Sequence, residues 1–188
     1  MKTSIATSRC ALLVIALAFV VGGCSAVYVR TPVGETAHVL QPNEWAGTWL
    51  TPDGKALVVS VPDPGKGVLQ IVGLEGNEHD LQVKKYTIAV TESAGWLFAN
   101  VRDDARPDAS RHIWGRLKRD EDMVIIWPPD VRAFKALVRD GKVKGKELDS
   151  GDVELEFIAP ETMLAFATGE LGVPFGWDTP FILRRVGR

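Results

Sequence analysis

The sequence of 188 residues contains little cysteine: its two cysteines, Cys10 and Cys24, both lie near the amino terminus. A fold held together by several disulfides, as in small cysteine-rich secreted proteins, is therefore excluded. An excess of positive charge is absent too, because 22 Lys and Arg stand against 24 Asp and Glu. Proteins that bind nucleic acid usually carry a basic patch or a surplus of basic side chains, so we expect no nucleic-acid partner.

The sequence also lacks an apolar run long enough for a permanent transmembrane helix. The run over 11–21 is about half as long as the roughly 20 residues that cross the hydrocarbon of a bilayer. It follows Lys2 and Arg9, and no acidic residue accompanies them. This order of positive charge and then a short apolar core is typical of a secretory signal.

The apolar run ends in Val21-Gly22-Gly23-Cys24, which is an aliphatic residue, two small residues and a cysteine. This motif resembles the lipobox of bacterial lipoproteins, and the resemblance implies cleavage before Cys24 and acylation of its sulfur, for example with palmitate. The alternative is an ordinary signal peptide with a chance cysteine. Two or three acyl chains anchor a protein durably, so the implied partner is a membrane, reached through lipid. Ser25 stands where an aspartate favours the inner membrane in enterobacterial lipoproteins, and we expect the outer membrane, facing the periplasm.

The motif divides the chain into a signal peptide over 1–23, a lipidated amino terminus and tether over 24–42, and a single domain over 43–188. Removing the signal peptide leaves 20 basic and 24 acidic side chains. Cys24 is then the only cysteine, so the domain cannot contain a disulfide. A chain of about 150 residues buries close to 70% of its unfolded surface, which is enough for one hydrophobic core.

Short runs rich in β-forming residues, separated by turn residues at hairpin-like spacing, dominate the domain. A parallel sheet would need helices between these strands, and the sequence predicts none there. We therefore predict a mainly β fold, an antiparallel barrel or sandwich of eight to nine strands. The predicted strands cover residues 44–50, 56–61, 68–74, 81–91, 95–101, 112–118, 123–127, 153–157 and 181–186.

Two short helices are predicted near the carboxyl terminus. Asp130 is a suitable N-cap for a helix over 131–140, and Gly141 follows at the position that ends it. Residues 160–168 predict a second helix, which begins at a proline and stops before Gly169.

The first predicted strand contains Trp45-Ala46-Gly47-Thr48-Trp49, so positions 45, 47 and 49 share one face of it. This segment resembles the Gly-x-Trp motif on the first strand of lipocalins and related calycin barrels. The resemblance implies that Arg184 or Arg185, in the last strand, packs over Trp49 as a cation–π partner. The chain departs from that family in two respects: it has two short helices with a strand between them, and it lacks the Thr-Asp-Tyr motif.

The aromatic residues on the predicted strands have two interpretations. If the sheet closes around a cavity, they line a site for an apolar small molecule; otherwise they fill the core. The residues concerned are Trp45, Trp49, Trp96, Phe98 and Trp127. Trp114 follows Ile113 on one strand, and successive side chains point to opposite faces, so we expect one of these two to be exposed.

The motifs of nucleophilic catalysis are missing: the sequence contains no Gly-x-Ser-x-Gly and no Ser-x-x-Lys. One hairpin turn is rich in metal-ligand types but lacks the two-histidine spacing of zinc sites; its residues are Glu75, Glu78, His79 and Asp80. We predict no metal, no cofactor and no catalytic residue. The leading hypothesis is a non-enzymatic envelope lipoprotein that binds an apolar small molecule or an envelope component in a lipocalin-like barrel. The alternative is an interaction or scaffold lipoprotein in an envelope protein complex.

Overall fold

The structure, a computed structural model, describes residues 25–77, 80–102 and 111–187. The predicted signal peptide and Cys24 lie outside these ranges. The described residues form a mainly β fold of twelve strands and three short helices.

The strands are β1 (Val27–Val29), β2 (Thr36–Ala37), β3 (Gly47–Leu50), β4 (Ala56–Asp63), β5 (Val68–Asn77), β6 (Asp80–Ser93), β7 (Trp96–Arg102), β8 (His112–Asp120), β9 (Met123–Trp127), β10 (Gly145–Glu147), β11 (Val153–Leu155) and β12 (Phe181–Val186). The helices are α1 (Pro42–Trp45), α2 (Val131–Arg139) and α3 (Pro160–Ala167).

Eight strands close into an antiparallel barrel. Strands β3 to β9 pair in sequence order, and β12 completes the ring by pairing with β9 on one side and β3 on the other. Closure removes the exposed edges that an open sheet would present. Of the two predicted architectures the structure thus has the barrel, although with more strands in total than the eight or nine predicted.

A small sheet extends from one side of the barrel. Strand β8 pairs with β9 through its second half, while its first two residues, His112 and Ile113, pair with β1. Strand β1 then pairs in parallel with β11, and β11 pairs with β10. Residues 27–29 therefore belong to the fold.

The structure describes most of the segment 24–42, which the sequence analysis predicted as a lipidated amino terminus and tether. Four of its apolar side chains are buried in the two cores of the molecule: Val27, Val29, Val33 and Leu40. Between them, β2 pairs with the end of β6, beyond the last residue of β6 that pairs with β5. Burial of these side chains favours an ordered segment over a flexible one.

The two predicted helices are present, within one residue of the expected ends. Asp130 caps α2, since its carboxylate accepts hydrogen bonds from the backbone N–H of Arg132 and Ala133. The number of helices was nevertheless wrong, because the structure has a third, α1, before the barrel. It replaces the beginning of the predicted strand 44–50, with Pro42 at its first turn, where proline is favoured.

The hydrophobic residues form two separate cores. The first fills the barrel and includes Trp45, Trp49 and Leu117. The second lies outside the barrel wall, where the outward faces of β7 and β8 are covered by α2, α3 and the small sheet. Its fully buried members are Val29, Val33, Phe98, Trp114, Phe134, Val153, Leu155, Met163 and Phe166.

The second core corrects the prediction for Ile113 and Trp114. Both side chains are buried, although they point to opposite faces of β8. Trp114 makes edge-on contacts with Phe134 and Phe175, with ring centroids 5.6 and 5.8 Å apart. Strand β8 therefore has apolar surroundings on both faces, which an alternating pattern does not reveal.

Candidate functional site

Trp45 and Trp49 lie together at one end of the barrel interior, and both are buried. The sequence predicted Trp45 on the first barrel strand, whereas the structure places it at the end of α1. The Trp49 indole Nε1 donates a hydrogen bond of 3.0 Å to the backbone oxygen of Trp45. The two residues close the floor of the barrel, because α1 crosses the opening and β3 begins directly after it.

Arg185 covers this floor from outside. Its guanidinium carbon lies 5.8 Å from the ring centroid of Trp49, and its Nη1 donates to the backbone oxygen of Asn43 at 3.0 Å. Its Nη2 donates to the backbone oxygen of Ala46. Gly47 leaves room for this side chain: a Cβ there would stand 3.3 Å from the Arg185 Nε, and its φ of +138° disfavours other residues. Of the two arginines predicted as partners of Trp49, the structure places Arg185 there and leaves Arg184 exposed.

The barrel interior is almost filled. A cavity of about 30 Å³ remains, and apolar side chains line it, among them Trp45, Trp49, Ile71 and Leu117. Pockets for drug-sized ligands measure about 300–1,000 Å³, so the interior as it stands is too small for such a ligand.

A larger, polar cleft of about 600 Å³ lies under the floor, among residues that include Asn43, Glu44 and Glu121. Two arginines line it. The Arg185 nitrogens bond to α1 as described, and Arg119 donates to both the backbone and the carboxylate oxygen of Glu44, at 3.2 and 3.3 Å. These donors are therefore used to hold α1 in place, and the Glu44 carboxylate also pairs with the charge of Arg119.

The remaining predicted aromatics lie outside the barrel. Phe98 is completely buried in the second core, where its ring centroid is 6.2 Å from that of Trp114. Trp96 and Trp127 are half-buried on the outer wall. They belong to a different group of side chains, which the sequence did not predict.

Three indoles surround the guanidinium of Arg116 on this outer wall. Its Cζ lies 4.4 Å from the ring centroid of Trp96, 4.7 Å from that of Trp177 and 4.9 Å from that of Trp127. These distances are within the range of cation–π attraction. We call these four residues the tryptophan cluster.

Strand pairing and one loop assemble the cluster. Arg116 lies directly opposite Trp127 in the pairing of β8 with β9, and Trp96 is near it at the start of β7. Trp177 comes from the segment after α3. That segment is tied to the end of β9 by a bridge between Pro129 and Phe175, and by a hydrogen bond of 2.9 Å from the Gly176 N–H to the Pro128 oxygen.

The charge on Arg116 has no acidic partner among the described residues. Its Nε is buried and donates no hydrogen bond there. Its two Nη atoms donate to no described residue either, and they are not fully buried, so they reach solvent. Burial lowers the pKa of Arg116 from its ordinary value, although a guanidinium stays charged at neutral pH. The arrangement holds a positive charge between aromatic rings with its outer edge open.

The histidines of the described residues are apart from this cluster. Burial lowers the pKa of His112, which lies where β8 meets β1. The Nδ1 of His38 lies 3.1 Å from a carboxylate oxygen of Glu92. Within the described part of the chain no three side chains of His, Cys, Asp or Glu could jointly hold a metal ion. Of the acidic hairpin turn, Glu78 and His79 lie outside the described residues.

Comparisons with protein-family models, with curated proteins and with solved structures found no match. In the described ranges, no helix has the length and apolar character needed to cross a membrane.

Proposed function

We propose that this chain is a lipoprotein of the cell envelope, anchored through lipid on Cys24, whose domain binds an envelope component and is not an enzyme. The observation that carries the binding role is Arg116, a guanidinium held among three indoles with its outer edge open and no acidic partner among the described residues. The nearly filled barrel supports a site on the outer wall instead of the interior.

The anchor and the domain are close in the chain. The backbone N–H of Ala26 donates to a carboxylate oxygen of Asp152 at 2.7 Å, and the backbone oxygen of Ala26 accepts from the N–H of Val153 at 2.8 Å. Since Cys24 is bonded to Ser25, lipid on Cys24 would begin within two residues of the small sheet. The domain is thus held against the membrane, which we propose is the outer membrane, on its periplasmic side.

A Cys24→Ser variant tests the anchor. We expect the wild-type protein to incorporate labelled palmitate and to sediment with membranes, and the variant to do neither. The domain should be unaffected, since the substitution exchanges one sulfur for an oxygen ahead of the first strand, and the two proteins should melt at the same temperature once extracted. Palmitate labelling of the variant, or its firm attachment to membranes, would contradict the proposal.

An interaction or scaffold role is the second candidate, and the hairpin of β5 and β6 favours it. The pairing of β5 with β6 continues beyond Gly73, where the pairing of β4 with β5 ends, so the hairpin projects from the barrel. Apolar side chains are exposed on its outer face and on β4: Val58, Leu74, Leu81 and Val83. Exposed apolar groups in contact with one another are typical of protein interfaces.

Crosslinking in intact envelopes distinguishes the two candidates. A scaffold predicts one protein partner in fixed ratio, whose crosslink is lost in Leu74→Ser/Val83→Ser, a pair that faces each other across β5 and β6. Variants of the tryptophan cluster should leave that crosslink unchanged. If the crosslink instead depends on Trp177 and not on Leu74, the binding role of the cluster is favoured.

A further inference from the structure

We propose that the tryptophan cluster binds an oxyanion, a carboxylate or a phosphate, that the ligand carries next to a flat apolar surface. This inference rests on the proposed binding role and names its ligand class. Arg116 supplies the charge, and the indole of Trp177 supplies the apolar contact.

The three indoles leave the positive charge of Arg116 available to a ligand. Aromatic rings attract a cation through the negative potential of their faces, so they stabilise the guanidinium without neutralising it. No carboxylate of a described residue pairs with Arg116, and its Nη atoms donate to none of these residues. A guanidinium edge presents parallel N–H groups that match the two oxygens of a carboxylate or phosphate. The open edge is therefore suited to an oxyanion.

An exposed apolar ring, the indole of Trp177, lies beside the charge of Arg116. Trp177 is 40% exposed although it belongs to a packed aromatic group, and its ring centroid lies 5.1 Å from that of Trp127 at an interplanar angle of 56°. An exposed indole beside a charged group resembles the centre of many binding interfaces, in which Trp and Arg contribute most of the affinity. A ligand that places its oxyanion on Arg116 would cover the indole of Trp177 with the adjacent part of the molecule.

A purely structural role of Arg116 makes a different prediction. If the guanidinium only fixed the segment of Trp177 to the barrel wall, its removal would destabilise the protein. If it serves a ligand, its removal abolishes anion binding, because the guanidinium is a half-buried charge without an anionic partner among the described residues of the free protein. Methionine has a similar length and packs well against indoles, so Arg116→Met separates the two roles.

The experiment uses the full-length, processed protein extracted in detergent, and follows tryptophan fluorescence during titration with benzoate, phenyl phosphate and benzamide. These probes share a ring and differ in the group attached to it. We expect saturable binding of at least one of the two anions, at least tenfold tighter than binding of neutral benzamide. The tighter anion identifies a carboxylate or a phosphate as the group recognised. Equal affinity for benzamide, or no saturable signal from either anion, would overturn the proposal.

Variants then locate the site. Arg116→Met should weaken anion binding at least tenfold in a protein that still unfolds cooperatively, and the exposed Arg184→Met should bind as the wild type does. Trp177→Ala should weaken binding at least fivefold, whereas Phe157→Ala, which removes a ring that is 42% exposed elsewhere, should not. Undiminished binding by Arg116→Met, or a lower melting temperature with unchanged affinity, would refute the assignment.

The result is independent of the anchor. Palmitate labelling and membrane sedimentation report on Cys24, and the titration reports on the tryptophan cluster. A protein that binds the anion but carries no lipid would contradict the lipoprotein proposal only. A lipidated protein that binds neither anion would contradict the ligand class only.

Discussion

Arg185 lies over the ring of Trp49 and donates hydrogen bonds to the backbone of α1, so one side chain connects the last barrel strand to the first and to the floor. Strands β12 and β3 are far apart in sequence, and the barrel closes only when they pair. The contact therefore supports the pairing that closes the barrel.

Replacement of Arg185 by methionine should lower the free energy of unfolding by about 2–3 kcal/mol, because it removes hydrogen bonds from a charged donor and a cation–π contact. The exposed Arg184→Met should change it by less than about 0.5 kcal/mol. Urea unfolding followed by tryptophan fluorescence measures both. Equal effects at the two positions would mean that the contact with Trp49 and α1 contributes nothing.

Most of the barrel strands could be predicted from the sequence, because apolar alternation and turn residues are local signals. Strand β9, for example, was predicted with the bounds that the structure shows, and β12 likewise. The helix α1 could not be predicted in this way, since its four residues are too short to show a helical period. Of the small sheet, β11 was predicted, within the strand over 153–157, but β1 and β10 were not. Strand β1 pairs in parallel with β11, more than 120 residues later, so its signal is not local.

The candidate site was less predictable than the fold. Alternation along β7 and β8 shows that Trp96 and Phe98 share one face, but it does not say whether that face is inside the barrel. Both faces of β7 and β8 are covered by apolar side chains, so the usual pattern, in which one face of a strand contacts solvent, does not apply to them. Arg116 and Trp177 meet only because the segment after α3 returns to the end of β9. Arg116 lies directly opposite Trp127 in the hairpin of β8 and β9, and this proximity was the one local signal of the tryptophan cluster.

Burial of the segment before α1 gives a second prediction. Val29 is fully buried in the second core, whereas Val39 is 60% exposed on the same segment. Val29→Ala should cost about 1–3 kcal/mol of unfolding free energy through lost apolar burial and the cavity left behind, and Val39→Ala should cost almost nothing. Thermal unfolding checks the pair. A flexible tether would make the two substitutions equally harmless.

A third prediction concerns Asn100, a buried polar residue on β7. Its side-chain oxygen accepts from the N–H of Val33 at 2.7 Å, and its amide nitrogen donates to the Val33 oxygen at 3.0 Å. Asn100→Ala leaves the buried N–H of Val33 without this acceptor, whereas the Val33 oxygen keeps a hydrogen bond from the Thr91 hydroxyl. The loss should cost about 2 kcal/mol. The exposed Asn43→Ala is the control, since only the backbone of Asn43 takes part in the floor. Hydrogen exchange at the Val33 amide should become faster in Asn100→Ala; unchanged exchange would show that the side chain is not needed there.

The last prediction concerns pH and His112. Burial lowers the pKa of its imidazole below the ordinary value of 6.5, so the folded state binds a proton less readily than the unfolded state. As the pH falls below 6.5, the unfolded state takes up the proton first, and stability declines until the pH passes the lowered pKa of the folded state.

Unfolding free energies measured between pH 7.5 and 5.5 should therefore fall in the wild type, and His112→Gln should have a smaller slope. Asp53→Asn serves as the control. The pKa of the Asp53 carboxyl, held low by hydrogen bonds from Lys55 and Thr51, lies below its ordinary value of 3.8, so this variant should keep the wild-type slope in that interval. A slope that is the same in His112→Gln and the wild type would show that burial of this imidazole has no effect on stability.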